Sequence, residues 1–109
     1  MADVIKVLGQ AAPSTATTTD LYAVPDLNQT TVSSLVVCNR TGGALTFRVS
    51  IHVAGASADN KQYLYYDKSV AANDYITLVI GITIKESDVM RVYASSGDFS
   101  FNLFGVETS

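Results

Sequence analysis

FRVSIHV, at residues 47–53, is the stretch of this chain that decides its fold. Apolar and polar residues alternate along it one by one, and FSFNL at residues 99–103 repeats the pattern. Successive side chains of a β-strand point to opposite faces of the sheet, so such alternation buries one face and leaves the other in water. Both stretches therefore predict half-buried strands that cover a core on one side.

Six further stretches with strand character surround these two, and turn residues recur roughly every 8–12 positions, as in all-β sandwiches and barrels. Gly81 predicts a bulge or bend, and Thr41-Gly42-Gly43 predicts a hairpin turn. We therefore expect an all-β fold over residues 1–109, a single antiparallel β-sandwich of about eight strands, with a jelly-roll-like arrangement as one option. The predicted strands are residues 4–9, 20–24, 29–39, 44–53, 62–66, 75–84, 89–94 and 99–106.

Residues 11–19 are a run rich in Ala, Ser and Thr around Pro13. The run is too polar and too β-branched for a helix, so it predicts a loop or an extended arm. An extended arm loses entropy on ordering but can wrap a neighbouring molecule. Val4 and Val7 of the first strand, with Pro13 and Thr17 of this run, are therefore candidate partner contacts.

Charge is sparse in this chain: 16% of its 109 residues are charged, against about 25% in a typical domain. A surface of Ser, Thr, Ala and Asn is easily desolvated, which suits burial against partners but equally suits an ordinary soluble sandwich. The net charge of -3 and the scattered basic residues argue against binding to nucleic acid. The start of the chain has neither a basic segment nor a long apolar run, so we expect no signal peptide and no membrane span.

Residues that could carry catalysis or bind a metal are few. His52 is the single imidazole, and its parity along the strand predicts a surface or interface position on the polar face. His and Cys residues show no zinc-ligand spacing, and the acidic residues are spread over turns, where they commonly cap backbone N–H groups. Cys38, the single cysteine, follows an apolar run and is expected to pack as a small apolar residue. We therefore expect no enzyme activity, no catalytic residues, no metal and no cofactor.

QYLYYD, at residues 62–67, is the sharpest local feature. Alternation places Tyr63 and Tyr65 on one face of the strand, with Leu64 and Tyr66 on the other. Tyrosine suits interfaces and sugar stacking, although one of these pairs could equally pack in the core. Arg48 and Arg91 also lie on alternating strands beside aromatic residues, where stacked or ion-paired contacts with a partner, or simple solvation, would fit.

Several segments together resemble a family of small virion structural proteins of tailed bacteriophages. They are VLGQAAP from Val7, LYAVP from Leu21, VVCNR ending at Arg40, TFRVSI from Thr46, QYLYYD from Gln62 and FNLFGVE at residues 101–107. The resemblance extends over nearly the full length. It implies a non-enzymatic β-sandwich protein of the particle, either cement or decoration on the capsid exterior or a component of the tail or fibre.

The same resemblance implies that other virion proteins are the partners, that the chain forms a homotrimer, and that it resides in the virion after assembly in the bacterial host cytoplasm. Burial of low-charge sheet surface and of edge strands would supply the binding. The alternative is a carbohydrate-binding module for host attachment, in which Tyr63, Tyr65 and Tyr66 stack on a surface glycan.

Overall fold

Residues 2–109 are described by the computed structural model, and they contain eight β-strands and two short 3-10 turns. The alternation of apolar and polar residues is visible in their burial: inward side chains of β8 are buried at every second position from Phe99 to Glu107. The strands are β1 (Asp3–Ala11), β2 (Thr19–Ala23), β3 (Gln29–Asn39), β4 (Leu45–His52), β5 (Tyr63–Val70), β6 (Tyr75–Lys85), β7 (Val89–Ala94) and β8 (Phe99–Thr108), and the 3-10 turns are Val53–Gly55 and Asn60–Gln62.

The strands form two four-stranded antiparallel sheets. The first sheet has the order β1-β8-β3-β6, and the second sheet has the order β2-β7-β4-β5. Most connections cross from one sheet to the other, and β4 with β5 is the one pair of consecutive strands in residues 2–109 that is hydrogen-bonded together. The predicted all-β sandwich is confirmed, and its strand order is that of a double-sheet jelly roll.

The hairpin predicted at Thr41-Gly42-Gly43 is wrong, because β3 and β4 lie in different sheets. The buried amide of Asn39 holds this crossing: its Nδ2 donates to the carbonyls of Gly43 (2.8 Å) and Val70 (3.1 Å), and its Oδ1 accepts from the backbone N–H of Thr41 (3.0 Å). The turn is thereby attached to the end of β5, which belongs to the facing sheet. Glycine favours a turn here without deciding which strands pair.

Facing inner surfaces of the two sheets make the core. Its fully buried side chains come from both sheets, so each sheet closes the apolar face of the other. The largest are Phe47, Met90, Val49 and Val92 from the second sheet, with Phe99, Phe101, Leu35 and Leu103 from the first.

The bulge predicted at Gly81 is confirmed. The pairing of β3 with β6 shifts register between Val32 and Ser34, so that Ile80 and Gly81 together oppose one residue of β3. Gly81 has a φ of +60°, which glycine adopts without the strain of a Cβ.

Candidate partner-binding surfaces

An arginine stacked between two tyrosines occupies the outer face of the second sheet. The Arg48 guanidinium carbon lies 4.1 Å from the ring centroid of Tyr66 and 4.5 Å from that of Tyr93. Its Nε donates to Asp67 Oδ1 at 2.7 Å, and this hydrogen bond raises the pKa of Arg48. The stacked and ion-paired contacts predicted for Arg48 are thus made within the chain, by β7, β4 and β5 side by side.

Two bulges in β5 determine which tyrosines reach this face. The register of β4 with β5 shifts between Phe47 and Val49 and again between Val49 and Ser50. Tyr65 lies opposite Val49 and packs towards the core, where its ring centroid is 6.4 Å from that of Phe47. The prediction that Tyr63 and Tyr65 share a face is therefore wrong.

Tyr63 instead joins the outer face. It lies opposite Ser50, and its ring meets that of Tyr66 edge-on, with centroids 4.9 Å apart. Strict alternation cannot anticipate this, since a bulged residue reverses the parity of every residue beyond it. Tyr93 is the member of this cluster that sequence reasoning missed, because no motif distinguishes it from an ordinary strand aromatic.

His52 is buried, with 2% of its surface exposed, which contradicts the predicted surface position. The segment after β4 folds back over it, and the imidazole Nδ1 lies 2.8 Å from the carbonyl oxygen of Ala56. Arg91 is the other predicted contact arginine, and its Nη1 lies 2.9 Å from the same imidazole nitrogen. Its Nε donates to Asp20 Oδ1 at 2.6 Å. Arg91 is therefore also engaged within the chain.

Ser50 and His52 form a close pair, with Oγ 2.9 Å from Nε2. A serine nucleophile with a histidine base has this geometry, but the base then needs a neighbour that stabilises its positive charge, such as a carboxylate. Here the cation of Arg91 occupies that position, and the Ser50 side chain is itself buried. The arrangement satisfies buried polar groups and closes one end of the second sheet.

Six apolar side chains lie on the outer face of the first sheet, among polar residues such as Ser34 and Asn102. On β1 and β8, Ile5 lies opposite Val106, and Val7 lies opposite Phe104. Phe104 of β8 and Val79 of β6 both lie opposite Ser34 of β3. Because directly opposed residues point to the same side of a sheet, all of these side chains share one face. Ile5 is 85% exposed and Val79 is 83% exposed. We call this set the apolar outer face: Ile5, Val7, Val36, Val79, Phe104 and Val106. Contiguous exposed apolar patches of this kind mark interaction sites.

The four predicted contacts near the N-terminus differ in accessibility. Val4 and Val7 are about half exposed on β1, an edge strand, and Thr17 is exposed. Pro13 is buried, so it is a poor partner contact. The segment between β1 and β2 lies against the turn after β7, where Ala16 N–H donates to the Ala94 carbonyl at 2.9 Å and Thr15 Oγ1 accepts from Gly97 N–H at 2.8 Å.

A buried polar network joins the two sheets at the end where the chain termini meet. The Tyr22 hydroxyl of the second sheet donates to Glu107 Oε2 at 2.6 Å and lies 2.7 Å from Thr30 Oγ1, while Lys6 Nζ donates to Glu107 Oε1 at 3.0 Å. The hydrogen bond from Tyr22, followed by that from Lys6, lowers the pKa of Glu107. Burial, with the hydrogen bond to Glu107, raises the pKa of Tyr22 to about 12.

We expect Glu107→Gln to lower the free energy of unfolding at neutral pH by about 1.5–3 kcal/mol, because hydrogen bonds to a charged group are lost. A lowered folded-state pKa stabilises the fold above the usual glutamate value of 4.5, and that contribution disappears as the pH falls through the folded-state pKa. The difference between wild type and variant should therefore vanish in acid. Urea unfolding at a series of pH values measures this difference in free energy of unfolding. Asp26→Asn, in an exposed loop, is a control with the same change of charge. The same pH dependence for both variants would contradict the network.

Neither a metal-binding cluster nor a membrane-spanning helix occurs within residues 2–109. No group of three or more His, Cys, Asp or Glu side chains in this range is placed to hold a metal ion. None of the helical segments described there has the length and apolarity to cross a membrane. A cleft of about 520 Å³ is lined by Ile51, Val53, Ala56, Lys61, Gln62 and Leu64.

Comparison with known proteins shows what this jelly roll is similar to. No protein-family model matches the sequence, and no curated protein matches it. Among solved structures, a chain in the structure of infectious bursal disease virus, Gx strain, superposes with a TM-score of 0.53 and 13% identity, covering 97% of this chain and 32% of that one. A pentameric capsid protein isolated from metagenomic phage sequences superposes with a TM-score of 0.43 and 12% identity, covering 98% and 61%.

The chain therefore spans about a third of the viral chain and less than two thirds of the phage protein. At 13% identity the likeness to the viral chain shows the fold alone, which the strand order defines as a double-sheet β-sandwich.

Proposed function

We propose that this chain is a structural protein of a virion, and that it binds repeated protein neighbours on a bacteriophage particle. Its placement is either cement or decoration on the capsid exterior or a part of the tail or fibre apparatus. In this role the chain makes and breaks no bonds, and its sheet surfaces supply the binding. The homotrimer implied by the family resemblance remains a prediction about its assembly.

The observation that carries the proposal is the apolar outer face of the first sheet. Its protruding Ile5 and Val79 are aliphatic, and all six members of the face are uncharged. Burying this face against protein removes apolar surface from water at about 25 cal/mol per Å² and strips no ion of its hydration. Jelly rolls occur in viral capsid and lectin domains. The likeness to a chain of a virus structure extends over 97% of this chain, which supports the capsid setting over the lectin setting.

The carbohydrate-binding alternative has less support from the geometry. Of the three rings it needs, Tyr65 turns towards Phe47 in the core. Arg48 lies over one face of the Tyr66 ring, which reduces the area open to a sugar. Binding on a glycan array that is lost in Tyr63→Ala or Tyr66→Ala would favour this alternative over the structural one.

The proposal is tested on native particles. We expect the chain to remain with density-gradient-purified virions of the phage that encodes it, at many copies per particle by quantitative mass spectrometry. Immunogold labelling of intact particles then separates capsid from tail placement. Recovery of the chain wholly in the soluble fraction of the lysate, with none on particles, would contradict a structural role.

A further inference from the structure

Strand β6 forms one edge of the first sheet and is unusual for an edge. Within residues 2–109 it pairs with β3 alone, so its other side presents unpaired backbone N–H and C=O groups. The strand is 11 residues long, and from Tyr75 to Ile84 it contains no Asp, Glu, Lys, Arg or His. Natural edge strands are normally short or protected by charges, proline or bulges, because long apolar edges pair with other chains, and of these devices the stretch from Tyr75 to Ile84 carries only the bulge at Gly81.

The sequence of β6 is partly symmetric about its centre. Reading outward from Ile80, three of the five flanking pairs match in size and polarity, at positions 78 and 82, 77 and 83, and 76 and 84, whereas Val79 and Gly81 differ in size and Tyr75 and Lys85 differ in charge. In antiparallel pairing around a two-fold axis, residue i of one copy opposes residue j of the other whenever their positions sum to a constant. A constant of 160 would oppose Ile80 with Ile80, Val79 with Gly81, Leu78 with Ile82, Thr77 with Thr83, Ile76 with Ile84, and Tyr75 with Lys85.

Shape at the centre of the strand fits the same register. Val79 protrudes with 83% of its surface exposed, whereas a Cβ added to Gly81 would meet no described atom within 4 Å. The register places the protruding valine of one copy over the empty position of the other. Thr77 opposite Thr83 is also one of the favourable cross-strand pairs.

The charged groups at the ends of β6 place one unfavourable and one favourable pair in this register. Asp74 and Glu86 would come near one another, but each carboxylate is held by its own chain. Asp74 Oδ1 accepts from the Tyr75 N–H at 2.8 Å, and Glu86 Oε2 accepts from the Leu27 N–H at 2.8 Å. Lys85 would lie opposite the exposed ring of Tyr75, where a cation is favourable.

We propose that β6 pairs antiparallel with β6 of a second copy of this chain, around a two-fold axis at Ile80. The two first sheets then continue into one eight-stranded sheet, and the new ladder supplies up to about ten hydrogen bonds, the number usual for a stable interface. A second copy is the occupant that the symmetry selects, since an unrelated strand would have no reason to match both halves. This inference names one contact between copies of the chain and rests on the proposed function only for its biological setting.

Charges introduced at Thr77 and Thr83 test the register. Both side chains are exposed, and the proposed pairing places each opposite the other across the axis. Thr77→Lys with Thr83→Lys creates two like-charge pairs per dimer, whereas Thr77→Lys with Thr83→Glu creates two opposite-charge pairs. Sedimentation velocity over a concentration series should show a dimer for wild type and for the Lys/Glu variant, with dimerisation of the Lys/Lys variant at least about tenfold weaker.

Controls keep the result interpretable. Thermal unfolding checks that both double variants are folded, and Gln10→Lys at an exposed position of β1, the opposite edge of the same sheet, should leave dimerisation unchanged. A wild-type chain that stays monomeric, a purely three-fold assembly, or equal association of the two double variants would each overturn the proposal. None of these outcomes alters the recovery of the chain on virions, so failure of this contact and failure of the structural role are separately visible.

Discussion

Phe47→Ala is expected to lower the free energy of unfolding by about 3–5 kcal/mol, the range for removing a large buried aromatic side chain. Phe47 is fully buried in the second sheet, and its ring meets two rings of the first sheet edge-on. The ring centroids of Phe101 and Phe99 are 5.9 and 6.1 Å away. Alanine would leave a cavity between the sheets and remove these contacts. The expected loss is a large share of a total free energy of unfolding of about 5–15 kcal/mol.

Equilibrium unfolding in urea, followed by circular dichroism, measures this loss. Phe104→Ala is the matched control, because Phe104 is half-buried on the outer face of the first sheet. We expect its effect to be less than half that of Phe47→Ala, since no enclosed cavity forms. Equal losses for the two variants would mean that the aromatic cluster does not join the sheets as described.

Gly9→Ala is expected to cost about 3 kcal/mol, at the upper end of the range for overpacking. A Cβ at Gly9 would overlap the carbonyl oxygen of Leu21 and lie 3.2 Å from its carbonyl carbon. Gly9 belongs to β1 in the first sheet and Leu21 to β2 in the second, so the clash is between two backbones where the sheets meet. A backbone group cannot rotate away as a side chain can.

Gly43→Ala is the control for this prediction, because an added Cβ there meets no described atom within 4 Å. Its effect should stay within about 0.5 kcal/mol in either direction. Differential scanning calorimetry of the two variants beside wild type provides the comparison. A melting temperature for Gly9→Ala as high as that for Gly43→Ala would show that β1 does not lie this close to β2.

The two surfaces of this sandwich have different characters, and this bears on how it would bind. On the second sheet, Arg48, Asp67 and the tyrosines satisfy one another within the chain. On the first sheet, apolar side chains and the open edge of β6 are left without partners inside residues 2–109. We therefore expect protein contacts to centre on the first sheet, where β1 carries the predicted contacts Val4 and Val7, rather than on the tyrosine strand and the two arginines.

Periodicity predicted the bounds of several strands well, including those of β3, whose register shifts between Val32 and Ser34. The bounds of β3 and β7 agree with the predicted residues 29–39 and 89–94 at both ends. The prediction failed at the bulges of β5: the strand extends to Val70 instead of ending at Tyr66, and its shifted register separates Tyr63 from Tyr65. A bulge depends on the partner strand, and pattern analysis of one strand does not see that partner.

His52 shows a second kind of failure. Its parity on the polar face was assigned correctly, since it shares that face with Ser50. Its burial comes from residues 53–56, which fold over it and bring the Ala56 carbonyl oxygen to 2.8 Å from its Nδ1. A loop that covers a polar face leaves no periodic signal in the sequence. Alternation alone therefore does not distinguish a covered outward-pointing residue from an exposed one.

The sequence by itself determined that the chain would form half-buried strands, which residues of most strands would point inwards, and that its surface would carry few charges. These properties follow from neighbours one or two positions apart. Only the tertiary structure decided which strands share a sheet and which polar groups meet, as with Tyr22 and Glu107, whose side chains hydrogen-bond across 85 positions. The physical reason is that sheet pairing depends on complementarity between segments far apart in the chain, which local alternation does not encode.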